Sequence, residues 1–573
     1  MIVLVALATV LQVTAVSPPR NAPAPRTAAV AITFDQPVSP ASVTPASFRV
    51  FGRWSGPAAG AFSFSNGDRT VTFTPSYAFS AGDIVSVNLS HDLRAADLTP
   101  LRAAGFAYQF MTMTVPTPRQ FAQLAVMSNR TNGAQTRIYG ASASDLNEDG
   151  FLDLATINEV SADVRVCLNL ADGSGRFGSF LAPQSIGVEA SPNEPADFDR
   201  DGHADLCVAA TESNSVWVLL GAGDGTFSSI QEIPVGQAPH GIAVLDADGD
   251  GDPDIANANN LSNNISLMIN DGNGAFGAPV SFDAGVGGEY GLAAADMNND
   301  GISDLVVAAR DSRKLITLLG NGNATFTPVG PAQNTGGQSW VVVVGDVNGD
   351  RILDAAVANS VSNNAAILIG LGDGRFAAPV TTATGAHTPS NDLADLDGDG
   401  DLDWVFSIFG AGAWRLFVNN GAGAFAFDQE FTAADSPSCA VPLDFDNDGD
   451  LDLALFDELA DLVTLMENTG PPNGVGEAPP HGRLALLPNA PDPFRATTRI
   501  RFVLQEADAA TLEVFDAGGR RVAARGLGSR PPGRQEVVFD GSDAAGRPLP
   551  AGVYYYRLTT RGAVQSDRMA IVR

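Results

Sequence analysis

Residues 241–285 read GIAVLDADGDGDPDIANANNLSNNISLMINDGNGAFGAPVSFDAG. A first apolar run leads into an acidic loop at Asp246; a second leads into an Asn-rich loop; a third leads into a Gly-rich turn ending at Phe276, and a short last run follows. That is four strands joined by three turns. The acidic pattern recurs from Asp145, Asp197, Asp246, Asp296, Asp346, Asp395 and Asp444, at spacings of 52, 49, 50, 50, 49 and 49 residues. Periods of this length mean stacked repeats, and four strands per period mean propeller blades. The seventh period stops at MENTG (466–470) without a fourth strand, whereas RQFAQLAVM (119–127) precedes the first acidic loop as a strand without its blade. This N-terminal strand is expected to complete blade seven and so remove both open sheet edges.

Each acidic loop follows D-x-[DN]-x-[DN]-G-x-x-D, with oxygen side chains at positions 1, 3, 5 and 9. Alternate side chains in a tight loop converge on one point, and a hard cation such as calcium takes six to eight oxygens there. The candidate ligands are Asp145, Asn147, Asp149 and Asp153 in loop one, and Asp197, Asp199, Asp201 and Asp205 in loop two. Loop three offers Asp246, Asp248, Asp250 and Asp254, and loop four Asp296, Asn298, Asp300 and Asp304. Loop five offers Asp346, Asn348, Asp350 and Asp354, loop six Asp395, Asp397, Asp399 and Asp403, and loop seven Asp444, Asp446, Asp448 and Asp452. Up to seven Ca²⁺, one per blade, are therefore expected. The bidentate Glu at position 12 of an EF-hand is absent, so affinity is expected on the order of 10⁻⁴ to 10⁻³ M, as in extracellular modules. Loop five has Arg351 where the turn calls for glycine, and its site is expected to be the weakest.

Composition narrows the function. A formal charge of -32 with Lys314 as the sole lysine excludes a phosphate backbone as partner, because nucleic-acid binders need basic patches. Cys167, Cys207 and Cys439 lie far apart with no Cys-x-x-Cys pair, which signals buried thiols and no disulfide framework. MIVLVALATVLQ at the start is apolar but too short to span a bilayer, and Ala6-Leu7-Ala8 has the form of a signal-peptidase site, so residues 1–8 read as the remnant of an export signal. No other stretch is apolar enough to cross a membrane, and the protein is expected to be secreted or held at the cell surface without a transmembrane segment.

The repeats resemble the FG-GAP and VCBS repeats of integrin-α-like propellers, whose DxNxDGxxDL element is followed by a GDGxF element; here the second appears as GSGRF, GDGTF, GNGAF, GNATF, GDGRF and GAGAF. The resemblance implies a calcium-stabilised propeller over residues 117–471, used in adhesion or recognition. Residues 9–116 alternate as in AVAITFDQPV and RTVTFTP and resemble bacterial Ig-like domains, which implies a spacer or stalk. TGPPNGVGEAPPHG supplies a Pro/Gly linker at 472–482. Residues 483–573, with PDPFRATTRIRFVL, TLEVFDAGGRRV and AGVYYYRL, resemble FlgD-like Ig folds and type IX secretion sorting domains, which implies contact with outer-membrane export machinery. The expected fold is thus all-β: a seven-bladed propeller flanked by two Ig-like β-sandwiches.

If the acidic hairpins mark one face, the connections entering each first strand lie at the other. Tyr139, His240, Tyr290 and Trp340 stand at equivalent positions there, six residues before the first Asp, and are the candidates for stacking against a sugar ring or an inserted side chain. The bland alternative is that they only cap the inner strands. The Asn-rich loops 257–264 and 359–364 are expected to add amide hydrogen bonds at the same face. The five histidines belong to no HExxH, GxSxG or similar signature, so no catalytic residues are assigned. The leading expectation is a binding or adhesion module for an extracellular glycan or protein. The alternatives are a carbohydrate-active lyase or hydrolase using His240, His387 or an uncommitted acid on that face, and a purely architectural protein.

Overall fold

The computed structural model describes residues 10–469 except 131–132, together with 484–486 and most of 494–572. The expected export signal (1–8) and linker (472–482) lie outside the described residues. Among the described residues the middle of the chain forms seven four-stranded antiparallel sheets, six of them in simple sequence order and the seventh completed by a strand from before the first blade. In blade three the strands are Pro239–Leu245, Asp254–Asn259, Asn264–Met268 and Val280–Phe282. The first strands of successive blades pack against one another, and the ring closes between Ile138–Ser144 and Pro437–Leu443. As the unfinished seventh period predicts, Phe121–Ser128 pairs antiparallel with Leu462–Asn468, from Phe121 opposite Asn468 to Ser128 opposite Leu462.

Burial explains the sequence pattern of each blade. The second strands, such as Asp205–Ala210 and Asp304–Ala309, are buried at every position because a neighbouring blade covers each face, so they read as unbroken runs of Val, Leu and Ala. The fourth strands lie outermost and are the most exposed of each blade, with half of the residues of Phe227–Pro234 exposed and only one buried. The inner strands crowd the axis: a Cβ on Gly241 would stand 2.4 Å from the Tyr290 carbonyl oxygen.

Two contacts join the blades. The residue at position 2 of each acidic loop (Leu146, Phe198, Ala247, Met297, Val347, Leu396 or Phe445) is buried. The carbonyls of Leu146, Phe198, Ala247, Val347, Leu396 and Phe445 each accept an N–H from the following blade, for example Asn270 Nδ2 to Phe198 at 2.8 Å and Asn419 Nδ2 to Val347 at 2.7 Å. The Phe ending the Gly-rich turn packs on the same residue, with ring centroids 5.4 Å apart for Phe276 and Phe198 and 6.5 Å for Phe177 and Phe445. At these two aromatic junctions the two sequence motifs of the repeat therefore meet.

The N-terminal domain is a sandwich of two sheets, one led by Val13–Ser17 and Val30–Phe34, the other by Phe48–Gly52, Ile84–Leu89 and Phe106–Thr112. Its core holds Phe34, Phe48, Phe73 and Phe110. This domain is no free stalk: it lies on the acidic-loop face of the propeller. The period of two divides its inner sheet, with Phe48, Val50, Val85 and Val87 in the sandwich core and Arg49, Phe51, Arg53, Ile84 and Ser86 facing the propeller channel. The sheet roofs a cavity of about 680 Å³ walled by the inner strands of blades two to six. The C-terminal domain has sheets of Leu484–Leu486, Thr498–Leu504 and Gly533–Phe539, and of Arg521–Arg530, Asp508–Asp516, Gly552–Thr559 and Val564–Ile571, around Ile500, Phe502, Tyr556 and Met569. Among the described residues no helix is long and apolar enough to cross a membrane.

Phe198 is fully buried at the junction of blades two and three. Phe198→Ala is therefore expected to cost about 3 to 5 kcal/mol in a denaturant titration, whereas Phe427→Ala, on an exposed outer strand, is expected to cost less than about 1 kcal/mol.

Candidate metal centre

In four loops three carboxylates offer oxygens that all lie within 4.8 Å of one another: Asp197, Asp199 and Asp205; Asp246, Asp248 and Asp250; Asp395, Asp397 and Asp399; Asp444, Asp446 and Asp452. These four triads could hold metal ions. They belong to the loops with Asp at position 3; loops one, four and five have Asn147, Asn298 and Asn348 there. At about 4.8 Å, two carboxylates repel by about 3 to 4 kcal/mol at an effective dielectric near 20.

The backbone folds each loop around its first aspartate. Asp145 accepts the N–H groups of Asp149 at 3.0 Å and Gly150 at 2.9 Å, and Asp296 accepts those of Asp300 at 3.0 Å and Gly301 at 2.8 Å. Position 6 has a positive φ throughout, from 81° at Gly301 to 100° at Gly449, and Arg351 is forced to 66°.

Position 9 has a second task that its spacing alone did not show. Asp254 accepts Ala247 N–H at 2.9 Å on one oxygen and Asn270 N–H at 2.8 Å on the other. The same pair of bonds recurs at Asp153, Asp205, Asp304, Asp354, Asp403 and Asp452. Each position-9 carboxylate thus pins its loop to the end of the third strand, and each oxygen keeps a lone pair for an ion. Burial, reinforced by neighbouring carboxylates, pushes Asp205 and Asp304 up to about 8, against those bonds.

The donor set suits a hard cation: every side-chain ligand is an oxygen. Two buried position-1 oxygens, Asp197 Oδ1 and Asp444 Oδ1, have no hydrogen-bond partner among the described residues, and both residues belong to the triads. A buried carboxylate oxygen without a donor is costly, and an ion at the triad would satisfy it.

The N-terminal domain reaches all seven loops. Arg20 pairs with Asp296 at 2.5 Å, Arg26 with Asp444 at 3.4 Å, and Arg49 with Asp252 at 3.2 Å and Asp197 at 3.5 Å. Thr114 donates to Asp395 at 2.7 Å, Asn21 to the Arg351 carbonyl at 3.0 Å, and the Asp145 N–H donates to the Trp54 carbonyl at 3.0 Å. Arg53, deeper in the channel mouth, pairs with Glu194 at 3.2 Å. Sequence reasoning missed these arginines, because nothing beside Arg20, Arg26 or Arg49 names an acid some 150 to 420 residues away.

At the opposite mouth the four candidate ligand residues come together, but on one another. His240 lies 3.8 Å from Tyr290 between ring centroids, Tyr290 lies 4.5 Å from Trp340, and Trp340 Nε1 donates to the Tyr139 hydroxyl at 3.2 Å. His387 and Phe409 extend the cluster, and Arg310 lies over Trp340 and Tyr290 at 4.8 and 5.3 Å. His240 is buried, and burial lowers it to about 3, which keeps it neutral. The cluster plugs the channel. The Asn-rich loops also differ from expectation: Asn257, Asn259 and Asn359 are buried, and their amides bond to Gly241, Asn264 and Thr335 within the propeller, because they lie within or at the ends of second strands enclosed by neighbouring blades. The loop tips expose Val160, Leu261 and Val361 instead.

Two substitutions separate fold from metal. Asp254→Ala strands two buried N–H groups and is expected to cost about 2 to 4 kcal/mol in unfolding with or without calcium, whereas Asp248→Ala should lower stability only in calcium. Arg351→Gly relieves a left-handed residue and is expected to stabilise the protein by about 1 kcal/mol, read as a higher denaturation midpoint.

The model of the FG-GAP-like repeat matches residues 145–208, 197–257, 246–307, 296–357, 346–406 and 395–455. That of the bacterial Ig-like domain matches 8–112, and that of the FlgD Ig-like domain 494–563. No curated protein matches the chain by sequence. Similar solved structures include BBS1N in complex with ARL6DN, at 12% identity over 62% of this chain and 98% of that one, with a TM-score of 0.44. A lectin of Agrocybe aegerita, described as recognising non-reducing terminal N-acetylglucosamine, is similar at 17% identity over 67% of this chain and 94% of that one, with a TM-score of 0.39. PorZ, a surface component of the type-IX secretion system of Porphyromonas gingivalis, is similar at 13% identity over 95% of this chain and 74% of that one, with a TM-score of 0.34. With its repeat model matched from residue 145 to 455, the chain belongs to the FG-GAP-like repeat family, as a seven-bladed propeller between a bacterial Ig-like domain and a FlgD Ig-like domain.

Proposed function

We propose that this protein is a secreted or cell-surface binding module, in which up to seven calcium ions brace the blades and the face away from the metal loops meets an extracellular glycan or protein. The observation that carries this reading is the position of the N-terminal domain. It covers the acidic-loop face at every blade, which leaves the opposite face as the broad open surface of the propeller. That surface carries exposed Val160, Leu261 and Val361 at equivalent loop tips around the plugged mouth, with Arg310 among the aromatic rings. Exposed apolar side chains beside aromatic and polar groups are the usual make-up of a recognition surface.

Calcium follows from the all-oxygen donor set and from the unpartnered oxygens of Asp197 and Asp444. The FlgD Ig-like domain supports a surface location and contact with export machinery. A binding role is favoured over a lyase or hydrolase because His240 and His387 are packed into the aromatic plug, and burial lowers both. A general base needs a free group within reach of substrate.

The test is a glycan array and a surface-protein pull-down with calcium-loaded wild type, Leu261→Asp with Val361→Asp, and Arg310→Gln. The expected outcome is a retained ligand whose binding falls at least tenfold in the opposite-face variants and is unchanged in the outer-strand variant Val280→Asp. Equal loss in Val280→Asp, or turnover of a polysaccharide by wild type, would overturn the reading.

A further inference from the structure

The aspartates that open the metal loops are also the residues that the N-terminal domain grips. Asp444 accepts Arg26 Nη1 at 3.4 Å and Gly449 N–H at 3.1 Å on Oδ2, while its buried Oδ1 has no partner. Asp197 places Oδ2 3.5 Å from Arg49 and likewise leaves a buried Oδ1 unpartnered; the same guanidinium binds the Asp197 carbonyl at 2.6 Å. Asp296 turns Oδ2 to Arg20 at 2.5 Å, and Asp395 turns Oδ2 to Thr114 at 2.7 Å. In two loops, therefore, one carboxylate oxygen serves the neighbouring domain and the other is buried without a hydrogen-bond partner.

We propose that the N-terminal domain is a calcium-dependent cap: the first aspartates of loops two and seven, Asp197 and Asp444, bridge a bound ion to the cap, so that metal loading and docking stabilise each other. This rests on the calcium reading above. The sign follows from the carboxylate geometry. Without an ion, repulsion from the acids at positions 3 and 5 drives the inner oxygen away, and turning the carboxylate moves the outer oxygen off its arginine. An ion on the inner oxygen removes that drive and fixes the outer oxygen where the cap needs it, as a hydrogen-bonded shell fixes a metal ligand. Coupling of this kind is reciprocal, so the cap must in turn raise the affinity of the loops for calcium.

Three cap amides report docking directly, because they donate to loop carbonyls: His91 to Gly249, Ala107 to Gly301 and Val115 to Gly449, each at 2.8 Å. Hydrogen exchange of the full chain is to be followed in calcium and after chelation, with bound calcium counted by elemental analysis. Amides inside the cap's own ladders, such as those of Ile32 and Val87, serve as controls. The expected result is exchange at least tenfold faster at the three reporters after chelation, with the controls unchanged. Arg26→Gln with Arg49→Gln should expose the same reporters in calcium and weaken calcium binding at the loops they touch. Reporters equally protected with and without calcium, in a chain that the count shows to bind it, would overturn the proposal. Reporters better protected after chelation would also overturn it, since the arginines would then be replacing the ion. A count of zero would remove the calcium reading itself, and the cap mechanism with it.

Discussion

Everything in the propeller is arranged around a crowd of carboxylates that cannot be left alone. Four loops hold three acids within 4.8 Å, and burial with mutual repulsion raises their affinity for protons. The protein answers this cost with directed hydrogen bonds. Backbone N–H groups converge on positions 1 and 9, and the cap supplies arginines from outside. What remains at position 1 of loops two and seven is a buried oxygen with no donor, beside carboxylates that could hold a cation.

The same loops are the mechanical joints of the ring. Their position-9 aspartate ties the turn to the third strand of its own blade, and in six loops the position-2 carbonyl takes a hydrogen bond and, at two junctions, the side chain takes an aromatic contact from the next blade. A change at one loop therefore reaches its own blade, its neighbour and the cap. Docking the cap over this face also divides the molecule into a structural end and an open end, with a roofed cavity between them and an aromatic plug beyond.

The architecture was legible in the sequence because its signals are periodic and local. The spacing of Asp145 to Asp444 gave the blade count, and the unfinished period at 466–470 gave the closing strand found at Phe121–Ser128. The cap was not legible. Arg20 and Asp296 are far apart in the chain, and no local pattern marks one for the other, so the likeness to a spacer domain pointed the wrong way. Tyr139, His240, Tyr290 and Trp340 were placed on one ring by their register, but whether such a ring stays open depends on how closely the inner strands approach. A glycine with no room for a Cβ at 241 shows how close that is. Asn257 and Asn359 misled for a related reason, since polar residues within or at the end of a strand can bond inward when neighbouring blades enclose it.

The most direct test of the account is thermal unfolding of the full chain as isolated, after calcium chelation, and after chelation followed by magnesium or calcium, with bound metal counted in each state. The account predicts several calcium ions per chain and a large rise in the propeller's unfolding temperature that calcium restores and magnesium does not. No bound calcium, with the same unfolding temperature in every state, would contradict it and leave the seven loops as acidic turns held by hydrogen bonds alone.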